Sequence, residues 1–120
     1  MKVFFYSVDD EENKISYNSE AHFEDDMLVF EDKSYENTKM YLKIDKDRVI
    51  ISRKGMIIMN LELIRNKKTK GYYQNEIGLE FDFITDCTNL VITDKRIDIS
   101  YAMILDNQVL SSHKIWIILR

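Results

Sequence analysis

The sequence predicts an all-β protein: one antiparallel meander of roughly eight to ten strands, closed into a single barrel. Three observations carry that reading. Apolar and polar residues alternate with a period of two along most of the chain, as in Leu79-Glu80-Phe81-Asp82-Phe83. Short breaks rich in Asp and Asn separate these runs, and there is no proline and only three glycines. No stretch carries an apolar stripe of helical spacing over three turns.

In chain order, the first β-rich run is Val3 to Val8, followed by the polar break Asp9 to Asn13 and a second run from Lys14 to Tyr17. Glu20 to Phe30 is the best helical rival, with Phe23, Met27 and Phe30 at i, i+4 and i+7. Its centre, Glu24-Asp25-Asp26, instead suits a hairpin tip, because Asp side chains hydrogen-bond their own backbone and tolerate left-handed φ. Met27 to Phe30 then forms a strand, and Glu31 to Asn37 a polar link. Met40 to Ile44, Val49 to Arg53 and Ile57 to Arg65 follow as strands, rich in the β-branched and aromatic residues that strands favour. Asn66 to Lys68 reads as a break within the basic run Arg65 to Lys70, which suits a solvated hairpin loop. Beyond it lie Tyr72-Tyr73, Leu79 to Phe83, Leu90 to Thr93, Ile97 to Met103 and Val109 to Leu119.

Closure follows from the edges. An open sheet of this size exposes unpaired backbone along both margins, and a barrel removes them. Gly55 falls in a turn that needs positive φ. Gly78 opens a strand and Gly71 precedes Tyr72-Tyr73, positions where glycine marks a bulge or bend as the sheet coils. Ile58, Trp116 and Ile118 belong to runs that are apolar on both faces, so they fall outside the barrel and make homodimerisation a natural expectation.

The 120 residues suit one domain over residues 1–120, long enough for a hydrophobic core without staples. The net charge of −4 opposes general affinity for nucleic-acid backbones. No apolar run is long enough to cross a bilayer as a helix. The apolar patch near the N-terminus stops at Val8 and meets four acids, unlike a signal peptide. A cytoplasmic protein with no membrane or nucleic-acid partner is therefore expected. The single cysteine, Cys87, forms no internal disulfide and lies beside no basic run, so it reads as an ordinary thiol.

The order Arg53-Lys54-Gly55, Met59, Gly71-Tyr72-Tyr73, Gly78, Thr85, Ile99-Ser100-Tyr101 and Leu110-Ser111 resembles the YwiB-like family of small bacterial proteins. The resemblance covers residues 38 to 119 well and the first third loosely. It implies a domain of unknown function with a calycin-type barrel, related in shape to lipocalins, and no established reaction. This chain differs in having no proline near Glu76 and Lys95-Arg96 at a turn where glycine is common.

Among candidate site residues, Arg53 shares a strand face with Val49 and Ile51, which points it into the barrel, and it matches the family's arginine. A buried arginine needs an anionic partner from the protein or a ligand. Asn60 and Glu62 share a face with Ile58 and Ile64, and with Arg53, Tyr73 and Tyr101 they are placed at a barrel mouth. His22 and His113 lack metal-ligand spacing, and the acids Asp9 to Glu12 do not form a calcium loop, so no metal or cofactor is expected. Ser111-Ser112-His113 offers a nucleophile and a base without an orienting acid or oxyanion hole, so no enzyme is expected. The expectation is a non-enzymatic intracellular protein that takes a small, partly apolar ligand in its barrel. The alternative is a filled barrel serving protein interaction or homodimerisation.

Overall fold

The computed structural model describes residues 1–120. Ten strands run in order: β1 (Lys2–Asp9), β2 (Lys14–Glu24), β3 (Met27–Glu31), β4 (Lys39–Ile44), β5 (Arg48–Lys54), β6 (Ile57–Ile64), β7 (Lys67–Asn75), β8 (Glu80–Ile92), β9 (Arg96–Leu105) and β10 (Gln108–Leu119). Each pairs antiparallel with its chain neighbours, and β1 pairs with β10, from Val3↔Leu119 to Asp9↔His113. The result is the closed all-β barrel that the alternation predicts.

Inward positions follow the period of two. Val3 and Phe5, Met40 and Leu42, Val49 and Ile51, Met59, Leu61 and Leu63, and Ile97, Ile99, Tyr101 and Met103 are all buried, while their neighbours along the strands are more exposed. Phe30, Leu28, Leu90 and Ile117 complete a contiguous core. Trp116 and Ile118 alternate with buried Ile115 and Ile117 and lie on the outer face, half-buried, and Ile58 is also outside.

Glu20 to Phe30 is a β-hairpin. Its tip, Asp25-Asp26, has φ of 50° and 63°, and Asp106-Asn107 at the β9–β10 tip has 52° and 63°. Two consecutive positive φ values match the strand twist in a two-residue hairpin, which usually calls for Asn or Gly. Asp and Asn thus take the place of glycine at both tips.

Four expectations change. The runs Leu79 to Phe83 and Leu90 to Thr93, all but their outermost residues, belong to one long strand, β8, whose polar middle puts Thr85 and Cys87 inside. The basic run is a turn only at Arg65-Asn66; Lys67 to Lys70 already belong to β7, and Arg65 Nε donates to the Leu90 carbonyl at 2.9 Å. Gly78 sits in the β7–β8 turn at φ 90° rather than in a strand. Gly71 stays inside β7 because the cross-strand Phe83 ring covers it: an added Cβ would lie 2.4 Å from Phe83 Cε2. The register shifts that bend the sheet occur instead at Thr88 and Leu110, where neither residue is glycine.

Candidate functional site

The β1–β2, β3–β4, β5–β6, β7–β8 and β9–β10 connections gather at one end of the barrel, the mouth. The interior is filled with aliphatic and aromatic side chains, among them Leu42, Val49, Leu63, Leu90 and Ile97 and, nearer the mouth, Phe30, Met40 and Met59. The larger cavities open to solvent; one of about 540 Å³ lies beside the mouth, between the β1–β2 connection and the β8–β10 wall, and includes Asp10, Thr88, Tyr101 and His113. None of these larger cavities lies within the barrel, so the structure does not show the ligand-filled interior expected from the sequence, and polar inward positions are confined to the mouth.

Here the inward positions turn polar and aromatic. Arg53 Nε lies 2.9 Å from Asp32 Oδ2, with the Arg53 side chain 14% exposed and that of Asp32 fully buried. The contact is out of line for a hydrogen bond, so it acts through charge alone and leaves both atoms without hydrogen-bond partners. Asp32 Oδ1 accepts instead from the Tyr17 hydroxyl at 3.1 Å, the Ser34 amide at 3.1 Å and the Ser34 hydroxyl. Arg53 Nη1 meets only the Met59 thioether at 3.6 Å, a weak acceptor, and its guanidinium carbon lies 5.8 Å from the centre of the Tyr35 ring.

Register explains the grouping. Arg53 pairs with Met59, Met59 with Tyr73, and Tyr73 with Phe81, so one inward row runs around four strands. The Tyr73 and Phe81 rings lie 5.3 Å apart, and those of Phe81 and Phe83 6.0 Å apart. On the facing wall Tyr101 stacks on His113 at 5.0 Å, and Ser111 Oγ lies 2.8 Å from His113 Nε2. Ser111 and His113 are two apart and share a face, whereas Ser112 points away, and the imidazole has no carboxylate hydrogen-bonded to it.

The electrostatics follow burial. Burial pushes the Tyr101 hydroxyl up to about 12, and burial with the neighbouring Asp32 charge pushes Tyr17 up further. Burial lowers His113 from its usual value, against the opposing pull of Asp9 and Asp10. Cys87, fully buried, is raised by burial. The acidic β1–β2 connection is organised by itself: Asp9 accepts from the Glu11 and Asn13 amides and from Asn13 Nδ2. No group of three or more His, Cys, Asp or Glu side chains is arranged to hold a metal ion.

Of the five residues placed at a mouth by the sequence, Arg53, Tyr73 and Tyr101 come together inside it. Asn60 and Glu62 do not. They alternate with buried Met59, Leu61 and Leu63 and so face outwards, Glu62 lying 3.5 Å from Arg48. The phase of β6 is ambiguous in the sequence because Ile57, Ile58, Leu63 and Ile64 are apolar on both faces. Asp32, Tyr35 and Tyr17 were missed. Asp32 and Tyr35 lie in a polar link that looked like a solvent-facing loop, and the alternation that would place Tyr17 beside Phe5 was readable but carries no chemical signal.

Comparison with known proteins gives a family. The model of a family described as "Domain of unknown function (DUF1934)" matches residues 5–117, well into the first third of the chain that resembled the YwiB-like proteins only loosely. The crystal structure of the ywiB protein from Bacillus subtilis matches with a TM-score of 0.66 at 18% identity, over 99% of this chain and 90% of that one. At that identity the likeness speaks for the fold alone. No curated protein matches. No helix is long and apolar enough to cross a membrane, which leaves strands unaddressed.

Proposed function

We propose, from the premise that this chain belongs to the DUF1934 family of unknown function, that it is a non-enzymatic binding protein whose barrel mouth takes a small, partly apolar ligand. One observation carries the reading: a charged guanidinium with poorly matched partners sits among inward-facing rings at the mouth of the barrel. Buried polar groups in natural proteins are normally satisfied, and an exception needs an explanation. A few polar groups in a mostly apolar recess is the usual composition of a small-ligand site. The calycin-like character of the barrel and a cytoplasmic location belong to the same proposal.

A second reading has its own support. Ile77 is 89% exposed at the β7–β8 tip, with Leu79 and Met56 also exposed nearby, so the same end offers an apolar rim to a protein partner or a second copy. Native mass spectrometry of protein purified from its own host separates the two. A monomer carrying a small-molecule adduct supports the first reading. A dimer with no adduct, unchanged after incubation with a cell extract of small metabolites, would overturn it in favour of the second.

A further inference from the structure

The chemistry of the mouth narrows the ligand class, and the argument rests on the binding role proposed above. Arg53 carries five N–H donors in a planar fork, and the protein uses them sparingly. Asp32 engages only Nε, and only through charge. Tyr17 and Ser34 hold the other Asp32 oxygen, which keeps that carboxylate on the Nε side. Nη1 rests against a thioether, and Nη2 makes no hydrogen bond or ion pair within the protein. With Nε against Asp32, the Nη1–Nη2 edge is the remaining fork that matches two coplanar oxygens.

The surroundings exclude the rival charges. A cation would meet Arg53 directly. A phosphate dianion would place two negative charges beside buried Asp32, with one guanidinium to answer them and with His113 held towards its neutral form. A neutral amide offers the fork a single oxygen. The acids Asp10, Glu11 and Glu12 near the mouth are exposed, where salt screens them over about 8 Å.

We propose that the mouth selects a small monocarboxylate on an apolar or aromatic body, its two oxygens on the Nη edge of Arg53 and its body along the row Met59, Tyr73 and Phe81. That row adjoins Arg53 strand by strand, so a carboxylate seated on the fork leads its substituent onto rings already grouped there. Tyr101, on the facing wall, lies close enough for the Arg53 charge to act on its hydroxyl.

The test uses two probes of one shape, phenylacetate and phenylacetamide, titrated into isotope-labelled protein and followed by amide and arginine Nε resonances. Phenylacetate should shift Arg53 Nε and the amides of residues 53, 59, 73 and 81, binding roughly tenfold or more tightly than phenylacetamide, as a charge-assisted fork favours over a single neutral acceptor. Arg53→Lys keeps the positive charge beside Asp32 but removes the fork, and should erase most of that preference, weakening phenylacetate far more than phenylacetamide. If that variant does not fold, the probe pair on the wild-type chain decides alone. Equal binding of both probes at these resonances overturns the carboxylate inference and leaves the mouth as a ligand site. Binding of neither, or shifts confined to other surfaces, overturns both.

Discussion

Replacing Arg53 by Met should cost about 3–5 kcal/mol of folding stability, the usual penalty for stripping one partner from a buried ion pair. Asp32 is fully buried, and Arg53 Nε at 2.9 Å is the one cation against its Oδ2. Without Arg53 the three donors on Oδ1 remain, but Oδ2 keeps neither charge nor hydrogen bond. The reverse deletion is milder. In Asp32→Asn the orphaned guanidinium is 14% exposed and already reaches solvent, so about 1–3 kcal/mol is expected. Removing both charges should cost less than the sum of the single changes, by about 2 kcal/mol, because neither charge is then left alone. The assay is urea unfolding of all four proteins at neutral pH, followed by far-ultraviolet circular dichroism, with the unfolding slopes checked for equality. A loss below about 1 kcal/mol for Arg53→Met, or additive single changes, would show that water reaches Asp32 and that the pair is not a buried unit.

Gly71→Ala should destabilise by about 1–2 kcal/mol, since crowding the buried Phe83 ring outweighs the entropy that alanine saves in the unfolded chain. The double variant Gly71→Ala/Phe83→Leu should recover part of that loss in the same unfolding assay. His113 titrates below its ordinary value of 6.5 because burial disfavours the imidazolium, so its contribution is complete above about pH 6.5 and lost as pH falls, when the unfolded chain takes up a proton that the folded one resists. His113→Gln should therefore flatten the drop in melting temperature between about pH 7.5 and 5.5; an equally steep drop would place the sensitivity elsewhere. Cys87, buried with a raised thiol, should react with a disulfide reagent only when the barrel opens, so its labelling rate should fall as folding stability rises. Rapid labelling of stable native protein would contradict the burial.

Much of the barrel was legible because its inward residues are large and apolar and recur at every second position. Where that pattern thins, the reading thins with it. The middle of β8 carries Thr85 and Cys87 inside, and the shift at Thr88 moves the inward phase to Leu90, so two short runs concealed one long strand. Arg53 was readable from Val49 and Ile51 on its own strand face. Its partner was not, because Asp32 follows β3 in a link that is brought against β5 only by tertiary packing: the Thr38 hydroxyl accepts from the Met56 amide, and Gly55 lies so close to Asn37 that a Cβ there would fall 2.0 Å from its carbonyl oxygen. No local pattern encodes that approach.

The pairing of β1 with β10 sets an order on assembly. Nine strands can zip to their neighbours as the polypeptide emerges, yet the outer margin of β1 must wait for a partner more than 110 positions downstream, as Val3 does for Leu119. Until the seam shuts, that margin is an adhesive ribbon open to other chains. The slow step in maturation should thus be the final stitch, and a chaperone or a short peptide copying β10 should act on that nascent edge rather than on the finished ring.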